Sequence, residues 1–105
     1  MKLINNLFEI LEQTEYYIKI RLARKDHHIF KAHFPENEIL PAFIQIDILM
    51  NILNQDITKI LKAKFLAIIK PEDIIEYHIT SISESKYKII IKCENKKVSE
   101  ILYEI

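Results

Sequence analysis

The chain has 105 residues, of which half are hydrophobic and 29% are charged, and its 15 basic residues balance its 15 acidic ones. This composition is typical of a globular protein and excludes a disordered one. A net charge of zero does not favour binding to nucleic acid or to an anionic membrane surface. The length predicts one domain over residues 1–105, and so apolar a chain is expected to bury further surface in a symmetric dimer.

Three further features of the composition narrow the class of protein. Cys93 is the only cysteine, so no intramolecular disulfide can form. No stretch reaches the roughly 18 uncharged apolar residues that a membrane span needs, and residues 1–10 lack the pattern of a signal peptide. We therefore expect a cytoplasmic protein without a membrane span. Glycine is absent, so any turn that requires a positive φ must use Asn, Asp or another residue.

The first third of the chain predicts strands followed by a long loop. Residues 15–23 alternate in polarity, which predicts a half-buried strand whose apolar face carries Tyr16, Ile18, Ile20 and Leu22. A shorter strand or a helical turn is expected at residues 7–11. Residues 24–40 lose the pattern and predict a loop of some 17 residues. Compact domains rarely contain so long a loop without a functional reason.

The remaining chain predicts one helix and then strands. Pro41 is favoured in a first helical turn, and the helix is expected to run to about Gln55 with apolar residues on nearly every side, so that it is buried on several faces. An extended segment at 58–69 follows. Strands are predicted near 74–82, 86–94 and 98–104, with a hairpin connection at 94–97 and Cys93 in the core. An antiparallel sheet around a single helix belongs to the α+β class.

Two side chains at the start of the helix predict a reactive site. Asp47 lies in the second turn among apolar residues, where a carboxylate is costly to bury without a partner. His33 lies in the loop before the helix, next to Phe34 and Pro35, which restrict its position. The first helical N–H after the proline that opens the helix belongs to Ala42. A base, an acid and an N–H donor could together process a carbonyl substrate.

The run His-Phe-Pro-Glu-Asn-Glu-Ile-Leu-Pro-Ala at residues 33–42, followed by Asp47, resembles the signature of the 3-hydroxyacyl-acyl-carrier-protein dehydratases. That family has His-Phe-Pro-Gly-x-Pro-x-x-Pro-Gly and an acidic residue at the same spacing. The likeness includes the strand before the loop, the extended segment that begins near Ala63 and the Pro-Glu-Asp turn at 71–73. It therefore covers most of the chain.

The resemblance implies a hot-dog fold, in which an antiparallel sheet wraps around one long helix, and a homodimer or a higher oligomer. It implies dehydration of a 3-hydroxyacyl thioester carried on the phosphopantetheine of acyl carrier protein, without a metal or a redox cofactor. His33 would take the C2 proton, Asp47 of the other protomer would assist departure of the C3 hydroxyl, and the Ala42 N–H would polarise the carbonyl. Phe34 and Phe43 are expected to contact the substrate.

Two other functions remain open. Glu36 and Glu38 stand where the family has glycine and proline, which motivates a non-catalytic module that binds acyl thioesters or their carrier protein. A hot-dog thioesterase could instead use the helix carboxylate to activate water without needing His33. A metal site at His27, His28 and His33 is disfavoured, because adjacent histidines rarely converge on one ion.

Overall fold

A computed structural model describes residues 4–32 and 36–105, which form a six-stranded antiparallel sheet and two helices. The strands are β1 (Phe8–Gln13), β2 (Tyr17–Leu22), β3 (Lys59–Phe65), β4 (Ile74–Ser81), β5 (Lys86–Cys93) and β6 (Lys96–Glu104). The helices are α1 (His28–Ala32) and α2 (Ala42–Leu53). The strand order is β1-β2-β4-β5-β6-β3, so β1 and β3 form the two edges. The predicted α+β hot-dog architecture is confirmed.

The long helix α2 begins and ends where local chemistry dictates. Pro41 precedes it with φ −57°, a value that the proline ring already imposes. Asn54 ends it in the left-handed conformation, with φ 52°, and the N–H groups at this end bond to the carbonyls of Met50 and Asn51. Glycine usually fills this position, and asparagine is the common substitute.

One face of α2 packs on the core-facing side of the sheet. Ile44, Ile48 and Leu49 are completely or almost completely buried. They belong to the same core cluster as Ile89 and Ile91 of β5, whose side chains alternate as the sequence predicts. The burial of one such side chain stabilises the fold by about 1.5–3 kcal/mol. The helix is therefore held over the middle of the sheet.

Buried tyrosines connect the helix to the sheet through hydrogen bonds. The Tyr77 hydroxyl donates to the main-chain carbonyl of Gln45 at 2.7 Å, and the Tyr103 hydroxyl donates to Oε1 of Gln55 at 3.1 Å. A buried phenol usually needs such a partner. The two contacts lie at opposite ends of α2 and fix its position along the sheet.

Edge strand β3 is connected to the rest of the sheet by β6 alone. All seven of its residues are exposed, and it pairs with β6 from Lys59 to Phe65. The carboxylate of Glu100 on β6 bonds to Lys62 of β3 at 2.7 Å and also to Lys97. The hydrogen bonds from Lys62 and Lys97 lower the pKa of Glu100 to about 2. An ion pair thus reinforces the join between the edge strand and its neighbour.

Several details differ from the sequence expectation. The predicted loop 24–40 contains the single-turn helix α1, and β6 begins at Lys96 rather than 98. Tyr16 precedes β2 and is 57% exposed, because the strand begins only at Tyr17. Cys93 is partly buried rather than fully buried, since it ends β5 next to the turn. Phe43 of α2 is 56% exposed, so in the single chain this helix buries one face rather than several.

Candidate active site at the start of the long helix

The first turn of α2 presents main-chain N–H donors. No side chain caps this end of the helix within the described residues, and the bond from the Ile44 N–H to the Pro41 carbonyl, at 3.0 Å, satisfies only one of the first donors. Ala42, the first helical residue, is partly exposed. The Ala42 N–H is therefore placed at a helix terminus where the helix dipole also favours negative charge.

An apolar pocket of about 230 Å³ lies beside this first turn. Its walls are Ile39, Leu40, Ala42, Gln45, Phe65, Leu66, Ala67 and Ile68. Phe65, Leu66 and Ile68 leave roughly half of their surface exposed, 41%, 57% and 55% respectively. The pocket thus joins the helix start to the end of the edge strand β3, and it can hold an apolar chain whose polar end meets Ala42.

Gln45 is the polar side chain in this pocket, and sequence reasoning did not select it. It is 2% exposed, and its Oε1 accepts a hydrogen bond of 2.6 Å from the Ser99 hydroxyl of β6. The run Phe-Ile-Gln-Ile could have identified Gln45, because an amide among apolar helix residues that face the sheet must find hydrogen-bond partners there. Recognising which partners it finds requires the tertiary structure.

Asp47 lies on a different side of α2 and in a different pocket. This second pocket, of about 300 Å³, is lined by Asp47, Met50, Asn51, Asn54, Gln55 and Asp56, and it shares no residue with the first. The Asp47 side chain is half-buried, and this burial raises the pKa of its carboxyl group. A carboxyl group with a raised pKa retains its proton more readily and is a better general acid near neutral pH.

The remaining predicted site residues fall partly outside the described chain. His33 and Phe34 lie between Ala32 and Glu36 and are outside the described residues. Phe43 lies in the first turn of α2 and exposes its side chain to the surroundings. Of the five predicted site residues, the structure describes Ala42, Phe43 and Asp47, and it separates the donor of Ala42 from the acid of Asp47.

Glu36, which follows the undescribed segment, has φ 71°. This is the left-handed region, which glycine occupies without a steric penalty and which costs other residues roughly 1–2 kcal/mol. The dehydratase signature has a glycine at this position. The backbone shape expected of that glycine is therefore present although the residue is different.

The other histidines have structural partners. His27 stacks on His28 with ring centroids 4.3 Å apart, and its two ring nitrogens contact the Asn5 carbonyl at 2.8 Å and the Ile29 N–H at 3.1 Å. On the convex face of the sheet, His78 lies 3.3 Å from Glu76. The Tyr17 hydroxyl donates to the same carboxylate at 2.6 Å, and this bond raises the pKa of Tyr17 to about 12.

The antiparallel sheet around α2, with an N–H donor and an acid at its first two turns, defines a protein of the hot-dog type. Residues 9–101 match the model of the ApeI-like family, described as ApeI dehydratase. The chain therefore belongs to the ApeI-like dehydratase family. No curated protein sequence matches the chain.

Solved structures show the same fold at low sequence identity. The dehydratase heterocomplex ApeI:P from Xenorhabdus doucetiae aligns with a TM-score of 0.73 and 17% identity over 91% of this chain and 92% of that one. An uncharacterized protein from Erwinia carotovora subsp. atroseptica gives 0.69 and 16%, over 93% and 94%. Thioesterase superfamily member 2 from Mus musculus gives 0.64 and 7%, over 97% and 82%. No helix in residues 4–32 and 36–105 is long and apolar enough to cross a membrane.

Proposed function

We propose that the protein dehydrates a 3-hydroxyacyl thioester to the trans-2-enoyl thioester, with each active site assembled from two copies of the chain. The observation that carries this proposal is the half-buried Asp47, whose carboxyl pKa is raised by burial, on the helix that begins with the free N–H of Ala42. The match of residues 9–101 to a dehydratase family supports the reaction class.

The reaction needs one base, one acid and one site for negative charge. His33 takes the C2 proton, the electron pair of that C–H bond forms the C2=C3 double bond, and the C3–O bond breaks. Asp47 gives its proton to the departing hydroxyl, which leaves as water. The Ala42 N–H holds the thioester carbonyl oxygen, on which negative charge develops. His33 gains the proton that Asp47 loses, so proton exchange with water restores both groups.

The geometry of α2 supports a site shared between two chains. Ala42 and Asp47 are five residues apart, which places them roughly 140° apart around an α-helix. They line separate pockets within one chain, so a carbonyl held by the Ala42 donor would lie outside the pocket that Asp47 of the same chain lines. A second copy, related by two-fold symmetry, can bring its Asp47 to the Ala42 pocket.

The edge strand β3 supplies the surface for this second copy. Among residues 4–32 and 36–105, five of the eleven large exposed hydrophobic residues lie within residues 60–68: Ile60, Leu61, Phe65, Leu66 and Ile68. An exposed apolar edge strand pairs readily with another strand. Three of these residues also line the pocket beside Ala42, so pairing along β3 would place the partner next to the site.

An acyl carrier protein is the proposed donor of the substrate, which it would carry on its phosphopantetheine. A lysine on the outer face of the sheet supports an acidic partner. Lys88 of β5 is exposed and pairs with Leu102 of β6, and unlike Lys62 in the same row it forms no ion pair within the described residues. Its charge would favour encounter with a negatively charged partner.

The test is formation of the enoyl thioester, followed by its ultraviolet absorbance, from 3-hydroxyacyl thioesters on pantetheine and on acyl carrier protein. His33→Ala and Asp47→Asn are each expected to lower the rate by about 10²–10⁴-fold, the usual contribution of a general acid or base. His28→Ala and Asp26→Asn, which remove an exposed histidine and an exposed aspartate outside both pockets, should leave the rate within a few-fold.

Mixing the two inactive variants tests the shared site. Unfolding and refolding them together should restore about a quarter of the wild-type rate, because half of the dimers are mixed and each has one intact site. No recovery would contradict the shared site. Release of free thiol without enoyl product would show a thioesterase, and tight acyl binding without either product would show a binding module.

A further inference from the structure

Gln45 is a buried amide in the middle of apolar packing. It occupies the fourth position of α2 between the core residues Leu40, Ile44 and Ile48, and only 2% of its surface is exposed. Both of its carbonyl oxygens are used: the main-chain oxygen accepts from the Tyr77 hydroxyl and Oε1 accepts from the Ser99 hydroxyl. The residue is therefore held from two strands of the sheet, and its side-chain amide is oriented by Ser99 of β6.

The other end of the side-chain amide has a hydrogen to donate. Within the described residues, the Gln45 Nε2 atom makes no hydrogen bond. No side-chain nitrogen or oxygen in that part of the chain is both fully enclosed and unpaired. The Nε2 atom is consequently not fully enclosed, and Gln45 lines the pocket of about 230 Å³ beside Ala42, into which we infer that the donor points. A buried donor without a partner is costly, so an acceptor in this pocket would be bound favourably.

The direction of helical side chains brings this donor towards the helix start. Side chains in an α-helix lean towards the N-terminus and cover the turn before their own residue. Gln45 lies three residues after Ala42, and residues at this spacing share one face of the helix. The amide of Gln45 and the main-chain N–H of Ala42 therefore serve the same pocket, as the lining residues show independently.

The pocket walls define what this pair of donors can bind. Apart from Gln45 the lining side chains are all apolar, among them Leu40, Phe65 and Leu66. The pocket thus offers two N–H donors, and none of its side chains is charged. This combination favours a neutral oxygen that accepts hydrogen bonds, such as a carbonyl. A cation would find no ligand there, and a full anion would be poorly compensated.

We propose that the Gln45 Nε2 group is a second hydrogen-bond donor to the thioester carbonyl oxygen, acting with the Ala42 N–H. This inference rests on the proposed dehydration and names a catalytic residue for it. As the C2 proton leaves, negative charge moves onto the carbonyl oxygen, and a donor already fixed by Ser99 stabilises that charge without reorganising. No bond to Gln45 forms or breaks.

Two substitutions of Gln45 test its role in turnover. Gln45→Met removes the donor and is expected to lower kcat/KM by about 100-fold, as loss of one such donor does in other acyl-transfer sites. Gln45→Glu keeps an oxygen for Ser99 and replaces the donor with a carboxyl oxygen. Its rate should fall more steeply with rising pH than that of the wild type, because only the protonated carboxyl group can donate. Wild-type kcat/KM in Gln45→Met, or a wild-type pH profile in Gln45→Glu, would overturn the proposal.

A binding measurement separates this inference from the dehydratase proposal. Two inert acyl-pantetheine analogues of equal length are compared by calorimetry, one with an amide carbonyl in place of the thioester and one with a methylene group there. The wild type should prefer the carbonyl analogue, and Gln45→Met should lose about 10-fold of this preference. Gln13→Met, which replaces an exposed glutamine on the edge strand β1 that lines neither the Ala42 pocket nor the Asp47 pocket, is the control and should retain the preference.

The outcomes are distinct. If the preference depends on Gln45 but no enoyl thioester forms, the dehydration proposal fails and the carbonyl site stands. If the wild type shows no preference, or Gln45→Met keeps it in full while circular dichroism shows a folded protein, the inference about Gln45 is wrong even if the protein is a dehydratase.

Discussion

Asp47 illustrates how the proposed function of a residue can conflict with stability. Its carboxyl group lies half-buried on a helix whose neighbouring turns carry Ile44, Ile48 and Met50, and no basic side chain pairs with it in the described chain. Desolvation therefore raises its pKa, and the ionised form is the one that the fold disfavours. A proton donor needs a raised pKa, whereas a purely structural surface residue does not.

The pH dependence of stability follows from this shift. Because the folded-state pKa of Asp47 is raised, the folded protein binds this proton more tightly than the unfolded chain does. The stabilisation is fully present below the ordinary aspartate pKa of about 3.9 and is lost as pH rises through the raised value. We expect Asp47→Asn to raise the melting temperature at pH 7 by about 2–4 °C.

The measurement compares thermal unfolding of the wild type and Asp47→Asn from pH 3.5 to 8, with Asp26→Asn, an exposed aspartate outside the Asp47 pocket, as the control. The difference between Asp47→Asn and the wild type should grow as pH rises and then level off. An equal or lower melting temperature of Asp47→Asn at pH 7 would show that the buried carboxylate has a compensating partner.

At the scale of the structural elements, turns without glycine are the distinctive feature. The residues with positive φ in the described chain are Asn6, Glu36, Asn54, Glu72, Glu94 and Asn95. Three of these residues are asparagine, which tolerates the left-handed conformation. The other three are glutamate, which does not share this tolerance. The β5–β6 hairpin contains one of each, with φ 52° at Glu94 and 64° at Asn95. Positive φ at both central residues marks a type I′ turn.

Replacement of Glu94 by asparagine should therefore stabilise the hairpin. We expect Glu94→Asn to raise the free energy of unfolding by about 0.5–1 kcal/mol, because asparagine pays less for the left-handed conformation. Urea denaturation measures the change. Glu84→Asn, an exposed glutamate in the β4–β5 connection that lacks a positive φ, is the control and should change stability by less than about 0.5 kcal/mol.

At the scale of the whole molecule, the two sheet edges are unequal. Both β1 and β3 are exposed along most of their length, but β3 continues into the exposed Leu66 and Ile68 and borders the pocket at the start of α2. Only the β3 edge therefore combines an unpaired strand, an apolar surface and the proposed site. The half-exposed Phe43 lies on the same helix, so the helix faces that remain open in one chain are available to a partner.

Matched substitutions on the two edges test the dimer. Ile60 of β3 is 48% exposed and Ile10 of β1 is 45% exposed, so aspartate should cost the monomer a similar amount at either position. Ile60→Asp is expected to convert a dimer of two 12.5 kDa chains into monomers and to abolish dehydration, whereas Ile10→Asp should remain dimeric and active. Analytical ultracentrifugation gives the masses. A dimer that persists in Ile60→Asp and dissociates in Ile10→Asp would place the interface at the other edge.

Periodicity and local chemistry predicted most of the fold. The alternation of Ile18 and Ile20 predicted a strand, and Pro41 predicted the start of the helix, because these features depend only on neighbouring residues. Strand order was not predictable from the residues alone, since the pairing of β3 with β6 joins segments far apart in the chain. The short helix α1 was missed because one turn leaves too little periodicity to detect.

For the site, the sequence by itself determined which groups are chemically competent: the His-Phe-Pro run at 33–35, the acid at Asp47 and the first N–H after Pro41. Only the tertiary structure decided that Ala42 and Asp47 line different pockets and that the first of these pockets also contains Gln45, a buried amide bonded to Ser99. The physical reason is that spacing along a helix fixes the angle between side chains, whereas burial and partners depend on the strands that pack against each face. Ser99, which orients Gln45, lies 54 residues away in the sequence.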